Sequence, residues 1–293
     1  MTTTAVATAR RAARRPARSR SLRPWYRNGT LVTGLVIVGL LVLVAVLAPW
    51  LAPYDPVKQD LQSALQSPSG SHWLGTDKYG RDVLSRLIWG ARVDLRVGFL
   101  AVLIPFVFGS VMGALAGYFG GWFDAVVMRV VDVFFAFPFY VLVIVLVFVL
   151  GAGEKSIYLA IAAVSWGSYA KILRGELLVA KKQDWVVAAR LGGMSHARVL
   201  GRHITPNVLS QALIYGMSDI VMDILAIVTL GYLGLGIAPP TAEWGSMILD
   251  GQEFITTQWQ QATIPGLAVV VTSLGLSFLG DGLSDQLSPG RRS

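Results

Sequence analysis

The sequence predicts an all-α integral membrane protein, and three observations support this. More than half of the 293 residues are hydrophobic and only 14% are charged, whereas about 25% of residues are charged in a typical soluble domain. Six stretches are long and apolar enough to cross a bilayer, which takes about 20 residues of helix. The chain has no cysteine, which excludes a disulfide framework and a thiolate metal site.

Six transmembrane helices are predicted in chain order, at residues 31–51, 97–119, 133–153, 156–174, 208–235 and 260–280. The fourth is the shortest, because only 15 uncharged residues separate Lys155 from Lys171. Lys171 must therefore lie at the end of that span or extend its amine to the interface. We expect a first helix at 30–51 in front of one membrane domain at 97–281.

The segment before the first span is predicted to be a disordered tail. Residues 1–29 carry eight arginines and no acid, which equals the whole net charge of +8. Because the net charge is confined to this tail, it does not point to nucleic acid binding. A segment with this many arginines cannot bury a core. A transit peptide or a secretory signal would also be basic, but the apolar run of 21 residues at 31–51 exceeds the roughly 7–15 of a signal peptide and favours an uncleaved anchor.

The distribution of basic residues predicts the orientation. Six spans place both termini on one side, and that side holds 18 of the 25 Lys and Arg residues. The positive-inside rule makes it the cytoplasmic side. We therefore expect a multi-pass protein of the plasma or inner membrane, with cytoplasmic tails at 1–29 and 282–293.

Two patterns near the second span predict helix packing. The external loop at 52–96 ends in apolar residues at helical spacing, which favours a short helix lying in the interface. These residues are Leu84, Leu87, Ile88 and Ala91. The second span has a glycine at every fourth position, which lets another helix approach closely. The glycines are Gly109, Gly113 and Gly117.

The loop between the fourth and fifth spans, residues 184–207, is the most informative segment. Asp184 is predicted to cap a helix that starts at Trp185 and ends at Gly192 and Gly193. One face of this helix is predicted to consist of Trp185, Ala188, Ala189 and Gly192. Ser195 then caps a second helix carrying Arg198 and Arg202, and Pro206 opens the fifth span. Two turns have too little apolar area for a core, so the first helix suits a groove on another protein.

This loop resembles the EAA loop of permeases in ATP-binding-cassette importers. Ala188, Ala189, Gly193 and Pro206 keep the spacing of that motif. Two positions depart from it: Val187 replaces a frequent Glu, which puts one ionic contact to the ATPase in doubt, and Thr205 replaces a frequent Leu. The segments 72–92, 230–247 and 279–289 narrow the resemblance to the second permease, of DppC or OppC type, in the dipeptide, oligopeptide and nickel importers.

The resemblance implies a type-I importer fold with a cytoplasmic coupling helix. The implied partners are a second homologous permease, two ATPase subunits or domains and an extracytoplasmic substrate-binding protein. ATP and magnesium would bind to the ATPases, so no cofactor, metal or catalytic residue is expected in this chain. The implied cargo is a di- or oligopeptide, with nickel or another small solute as the alternative. The predicted ATPase-coupling residues are Asp184, Trp185, Ala188, Ala189, Arg190, Gly193, Arg198 and Pro206.

Two further groups of residues are functional candidates. Asp219 and Asp223 lie four apart on one face of the fifth span, where they either line a translocation path or are tied to donors on neighbouring helices. Acidic and aromatic residues on the external side either dock the binding protein or form an interfacial belt with solvated charges. The docking candidates are Arg81, Asp82, Glu243 and Trp244.

Two other classes of protein share some of these features with a permease. An ion-gradient-driven transporter or channel would explain the spans and the intramembrane acids, but it would leave the 184–207 loop unexplained. An intramembrane enzyme would need a motif such as HExxH or GxSxG, and the sequence has neither. The stretch at 151–156 superficially resembles a phosphate-binding loop, but Glu154 stands where such a loop needs glycine.

Overall fold

The computed structural model of this chain describes residues 25–287, which form helices joined by turns. A 3-10 turn at Trp25–Arg27 precedes the first helix. The α-helices of the described range are α1 (Gly29–Val46), α2 (Ala48–Leu51), α3 (Val83–Phe119), α4 (Gly121–Phe135), α5 (Phe139–Leu150), α6 (Glu154–Ala180), α7 (Asp184–Leu191), α8 (His196–Arg198), α9 (Thr205–Tyr232), α10 (Trp244–Gln252) and α11 (Gln260–Leu287).

Within the described residues 25–287, five helical segments are long and apolar enough to cross a membrane. They are α1, α3, α6, the segment His196–Tyr232 that ends in α9, and the part of α11 up to Gln286. Helices α4 and α5 meet the same criterion only as a pair, and the pair is bent by 88°. With that pair counted as one span, the six predicted stretches are recovered in order, and the all-α membrane fold class is confirmed.

The third predicted span, at 133–153, is not one continuous helix. Helix α4 ends at Phe135 and α5 begins at Phe139, with Pro138 as its N-terminal cap. Proline has no backbone N–H to continue a helix, and it disfavours helical geometry in the residue before it. The break therefore follows from Pro138, and predicting a single helix here was wrong.

Helix α3 is longer than predicted. It runs without interruption for 37 residues from Val83 to Phe119, which is about 55 Å at 1.5 Å per residue. The separate interfacial helix that we predicted at 84–91 is therefore wrong, because this stretch is the first part of α3. Asp82 caps the helix by accepting a hydrogen bond from the Ser85 N–H.

The glycine stripe of α3 packs against α6, as predicted. A Cβ atom added to Gly113 would lie only 2.6 Å from Ala170 Cα, and one added to Gly117 would lie 2.8 Å from Leu177 Cβ. Real Cβ atoms essentially never approach so closely. Glycine is therefore required for the two helix backbones to pack at this distance.

The buried core lies between α3, α6 and α9. Tyr169, Leu173 and Ile224 are fully buried there. Helix α1 is mostly exposed and packs along α11, where Gly34 and Gly282 allow close contact with Leu279 and Leu31. The helix that the sequence predicted in front of the membrane domain is therefore present as α1 and contacts the rest of the chain mainly along α11.

The predicted tails lie largely outside the described residues. The structure does not describe residues 1–24 and 288–293. The last residues of the predicted first tail form the turn at Trp25–Arg27 and the start of α1. At the other end, α11 continues to Leu287, so the first residues of the predicted tail at 282–293 are helical.

Candidate coupling surface and buried polar groups

The segment predicted to couple this chain to an ATPase forms a short helix with glycines at its end. Helix α7 spans Asp184–Leu191, and its N-terminal cap is Gln183, so the prediction that Asp184 is the cap is wrong by one residue. Asp184 instead lies in the first turn, where its charge favours the helix dipole. At the other end Gly193 has φ +80°, a left-handed conformation that glycine adopts without strain.

The apolar surface of α7 is largely turned outward. Val186 is buried with 1% of its surface exposed, whereas Trp185 is 43% exposed and Leu191 is 85% exposed. On the predicted face, Ala188 is exposed and Ala189 is half-buried. The helix therefore holds to the rest of the chain by one side and leaves an apolar side uncovered.

The chain after α7 returns to the membrane through an irregular helix. The Ser195 hydroxyl accepts a hydrogen bond from the Arg198 N–H (3.4 Å) and caps α8, as predicted. Residues Val199–Ile204 form a π-helical turn that carries Arg202, so the second helix is shorter than predicted. Pro206 lies in the first turn of α9, where its missing N–H is no loss.

Asp219 and Asp223 are both buried, but their surroundings differ. The Tyr169 hydroxyl donates a hydrogen bond to Asp219 Oδ2 at 2.7 Å. Asp223 is 0% exposed, and neither of its oxygens has a hydrogen-bond partner among the described residues. Asp219 thus has a donor on a neighbouring helix, and a role of either aspartate in a translocation path stays a prediction.

A groove of about 500 Å³ with charged, amide and apolar residues in its lining runs between α6 and α9. It is lined by Lys171, Ile172, Gly175, Glu176, Gln211, Ile214, Tyr215 and Ser218. Lys171 pairs with Asp132 of α4 at 3.0 Å. Charged and amide groups inside a membrane span are costly against lipid, so this groove suits contact with protein or water. Asp219 lies one turn beyond Tyr215 and is not part of the lining.

The four side chains predicted to dock a binding protein are internal. Glu243 is 0% exposed and accepts hydrogen bonds from the N–H groups of Gly245 and Ser246 at the start of α10. The Trp244 backbone N–H donates to Asp94 Oδ2 at 3.0 Å. Arg81, Asp82 and Trp244 are also buried. Because a buried side chain is not available to a partner, the prediction that these residues form a docking surface is wrong.

Arg81 and Asp82 instead hold the external loop together. Arg81 Nε donates to Asp77 Oδ2 at 2.6 Å, and its Nη2 donates to Asp250 Oδ2 of α10 at 3.2 Å. Lys78 also pairs with Asp250, at 3.1 Å. Asp82 caps α3 and lies 2.9 Å from His72 Nδ1. These contacts fix the loop before α3 against α10.

Burial raises the pKa of Glu243 to about 7, although the hydrogen bonds from Ser246 and Gly245 and the Arg86 guanidinium oppose the rise. Glu243 therefore titrates close to neutral pH, even though it lies in the interior of the chain. Its neutral form suits this buried position better than its charged form.

Comparison with known proteins identifies the family. Residues 109–293, more than half of the chain, match the binding-protein-dependent transport system inner membrane component. The chain belongs to this family. Residues 19–68 also match the N-terminal transmembrane domain of oligopeptide transport permease C. The chain is thus a multi-pass inner-membrane permease subunit of an ABC importer, as the resemblance of the 184–207 loop predicted.

Several curated permeases are similar to this one over most of their length. The dipeptide transport system permease protein DppC of Alkalihalophilus pseudofirmus is 35% identical over 267 residues, 91% of this chain and 88% of that protein. The nickel transport system permease protein NikC of Escherichia coli is 40% identical over 255 residues, which cover 87% of this chain and 92% of that protein. The glutathione transport system permease protein GsiD of Pectobacterium atrosepticum is 37% identical over 272 residues, which cover 92% of this chain and 90% of that protein.

Sequence reasoning missed one prominent residue of this permease. Leu191 is the most exposed large hydrophobic side chain among those that the structure describes. It lies at the last position of α7, outside the predicted face. Periodicity over two turns cannot separate the exposed side of a helix from its buried side, so no clear signal in the sequence identified it.

Proposed function

We propose that this permease carries di- or oligopeptides and forms half of the translocation path of an ATP-driven importer. A second homologous permease would supply the other half, and an extracytoplasmic binding protein would deliver the cargo. The observation that supports this most directly is the uncovered apolar side of α7, held between two long membrane helices. Membership of the ABC importer family favours ATP-driven import over an ion-gradient-driven transporter or channel.

The coupling step is proposed to take place at α7. A short helix with small and apolar exposed residues can enter a groove on an ATPase subunit. Trp185, Ala188 and Leu191 would provide the apolar contact, while Asp184, Arg190 and Arg198 would provide polar contacts around it. Ala189, Gly193 and Pro206 would set the shape of the segment. ATP and magnesium would bind in the two ATPase subunits, whose closure would move α7.

This mechanism requires α7 to lie on the cytoplasmic side of the membrane. Both termini of the chain would lie on the same side. The positive-inside count supports that orientation. The loop before α3 and helix α10 would then form the external side. A docking surface for the binding protein would involve the exposed residues of this side, since Arg81, Asp82, Glu243 and Trp244 are buried.

The groove between α6 and α9 is proposed as the inner part of the translocation path. Lys171, Glu176 and Gln211 in its lining suit a water-filled space between two permeases, and Asp219 and Asp223 lie further along α9. We expect the double change Asp219→Asn and Asp223→Asn to lower uptake of cationic substrates in a complex that still assembles. Unchanged uptake of such substrates would remove the two aspartates from the path.

Reconstitution tests the proposed function. The permease pair, the ATPases and the binding protein are assembled in proteoliposomes, and ATP-dependent uptake of labelled dipeptides, oligopeptides, glutathione and nickel is compared. Nickel is the second candidate cargo because a nickel permease is 40% identical to this chain. Uptake of a peptide is expected; uptake of nickel alone would overturn the peptide assignment.

Crosslinking tests the coupling surface separately. The chain has no cysteine, so a single Ala188→Cys change provides one labelled position in α7. A photoreactive crosslinker at this position should reach the ATPase subunit. Crosslinks that reach only the binding protein, or labelling from the external side of intact cells, would contradict the proposed orientation and coupling role.

A further inference from the structure

The cytoplasmic end of α3 meets the coupling segment through one histidine. His196 is the first residue of α8, and its ring packs against Tyr118 and Phe119, with centroid distances of 5.6 and 6.3 Å. Its Nδ1 lies 2.9 Å from the Tyr118 hydroxyl, and its Nε2 lies 3.3 Å from a guanidinium nitrogen of Arg190. His196 thus contacts the last turn of α3 and the last turn of α7 at once.

The chemistry of the two partners fixes how a neutral ring is used. Arginine has only hydrogen-bond donors, so Nε2 must accept from Arg190. A neutral imidazole carries a single ring proton, which is then on Nδ1 and is donated to the Tyr118 oxygen. Both ring nitrogens are therefore used to bridge two helices. An asparagine or a glutamine at this position would reach only one of the two partners.

The end of α3 is a fixed point for such a bridge. Tyr118 is buried, and the neighbouring Gly117 packs on α6. The Gly117 carbonyl also accepts a hydrogen bond from Lys181 Nζ, at 2.8 Å. Helix α7 is attached less firmly, because Val186 is its only buried residue. The bridge therefore connects α7, which has one buried residue, to the end of a helix that packs closely on α6.

We propose that His196 is a positioning residue that holds the coupling helix α7 against the end of α3, so that displacement of α7 is passed to α3. This proposal rests on the proposed coupling function of α7. It assigns to Tyr118 and His196 a role in transmission within the permease, whereas the resemblance concerned contacts with the ATPase. Loss of the bridge would let α7 move without moving α3, and ATP would be hydrolysed without transport.

The test measures ATP hydrolysed per solute transported in proteoliposomes containing the full complex. Tyr118→Phe removes only the hydroxyl and keeps the ring contact, His196→Asn keeps the reach of Nδ1, and His196→Gln keeps the reach of Nε2. Each variant loses one hydrogen bond of the bridge. We expect each to raise the ratio by up to about fivefold, because loss of one hydrogen bond shifts the equilibrium between attached and detached α7 by about that factor. His196→Ala, which loses both bonds, should raise the ratio further.

Two variants provide matched controls. Tyr232→Phe removes a tyrosine hydroxyl that donates to Gln252 at 2.6 Å near the other end of α9, far from the bridge. His203→Gln changes the other histidine of the 184–207 loop, whose ring makes no hydrogen bond among the described residues. Neither should change the ratio. An equal rise in Tyr232→Phe would overturn the proposal.

Hydrogen exchange supplies a second, structural measurement. The amides of 184–194 should exchange about fivefold faster in Tyr118→Phe than in the wild-type complex, since local opening follows the lost contact. If the wild-type complex transports but Tyr118→Phe changes neither the ratio nor the exchange, the role of His196 is refuted and the proposed function stands. Faster exchange with an unchanged ratio also refutes the transmission role. If the wild-type complex shows no ATP-dependent uptake, the proposed function itself fails.

Discussion

Leu191 offers the most direct test of the apolar surface of α7. It is 85% exposed, so its side chain contributes little to the folding of this chain and is available to a partner. Burying a whole leucine side chain is worth about 1.5–3 kcal/mol. Leu191→Ala keeps one methyl carbon and should remove about 1–2 kcal/mol of binding free energy, which weakens ATPase binding about tenfold. The assay is titration of the purified ATPase subunits onto the permease pair in nanodiscs.

The matched control is Leu61→Ala in the loop before α3. Leu61 is also strongly exposed, at 70%, but it lies on the side predicted to be external. This variant should bind the ATPase like the wild type, and neither change should alter the thermal unfolding midpoint of the permease. Unweakened binding by Leu191→Ala, or equal weakening by Leu61→Ala, would refute the assignment of α7 as the contact surface.

Three further predictions concern stability. Gly113→Ala should destabilise the permease by about 1–3 kcal/mol in detergent unfolding titrations, because the new Cβ would lie 2.6 Å from Ala170 Cα; Gly39→Ala, with nothing within 4 Å, should show no loss. Asp223→Asn should leave the unfolding free energy unchanged or raise it, because no described donor bonds the carboxylate; a loss above about 1 kcal/mol would reveal a partner. Burial raises the pKa of Glu243 from its ordinary 4.5 to about 7, so its contribution to stability is complete below the ordinary value and is lost as the pH rises through about 7. Wild-type stability should therefore fall relative to Glu243→Gln between about pH 4.5 and 7, and parallel pH profiles would contradict this.

The number and order of the spans were predictable from the sequence because the bilayer imposes a length on any apolar helix. The break at Pro138 was not predictable in this way. The residues around Pro138 are so apolar that the hydropathy averaged over about 20 positions does not reveal the break. The continuity of α3 was missed for the opposite reason. Arg92 and Arg96 interrupt the apolar pattern before the second span, although the helix itself passes through them. The composition of a segment indicates whether it lies in lipid or in water. The break at Pro138 and the continuity of α3 depend instead on backbone geometry.

The candidate functional residues were predictable where local chemistry determines them. Gly193 and Ser195 set the ends of α7 and α8 through backbone conformation and capping, both of which depend on near neighbours. The Trp244 N–H bond to Asp94, next to the buried Glu243, and the bridge between Tyr118 and His196 each join residues more than 70 positions apart. With a single sequence, an acid in an external loop has the same pattern whether it is solvated or enclosed.

The uninterrupted length of α3 has a mechanical consequence. One end of this helix carries the capping residue Asp82 and lies against α10, and the other end carries Tyr118. A lever of about 55 Å that tilts by roughly 5° about one end displaces its far end by about 5 Å. In the proposed coupling mechanism, a small angular change at the end that carries Tyr118 would therefore shift the opposite end by about the width of a peptide backbone.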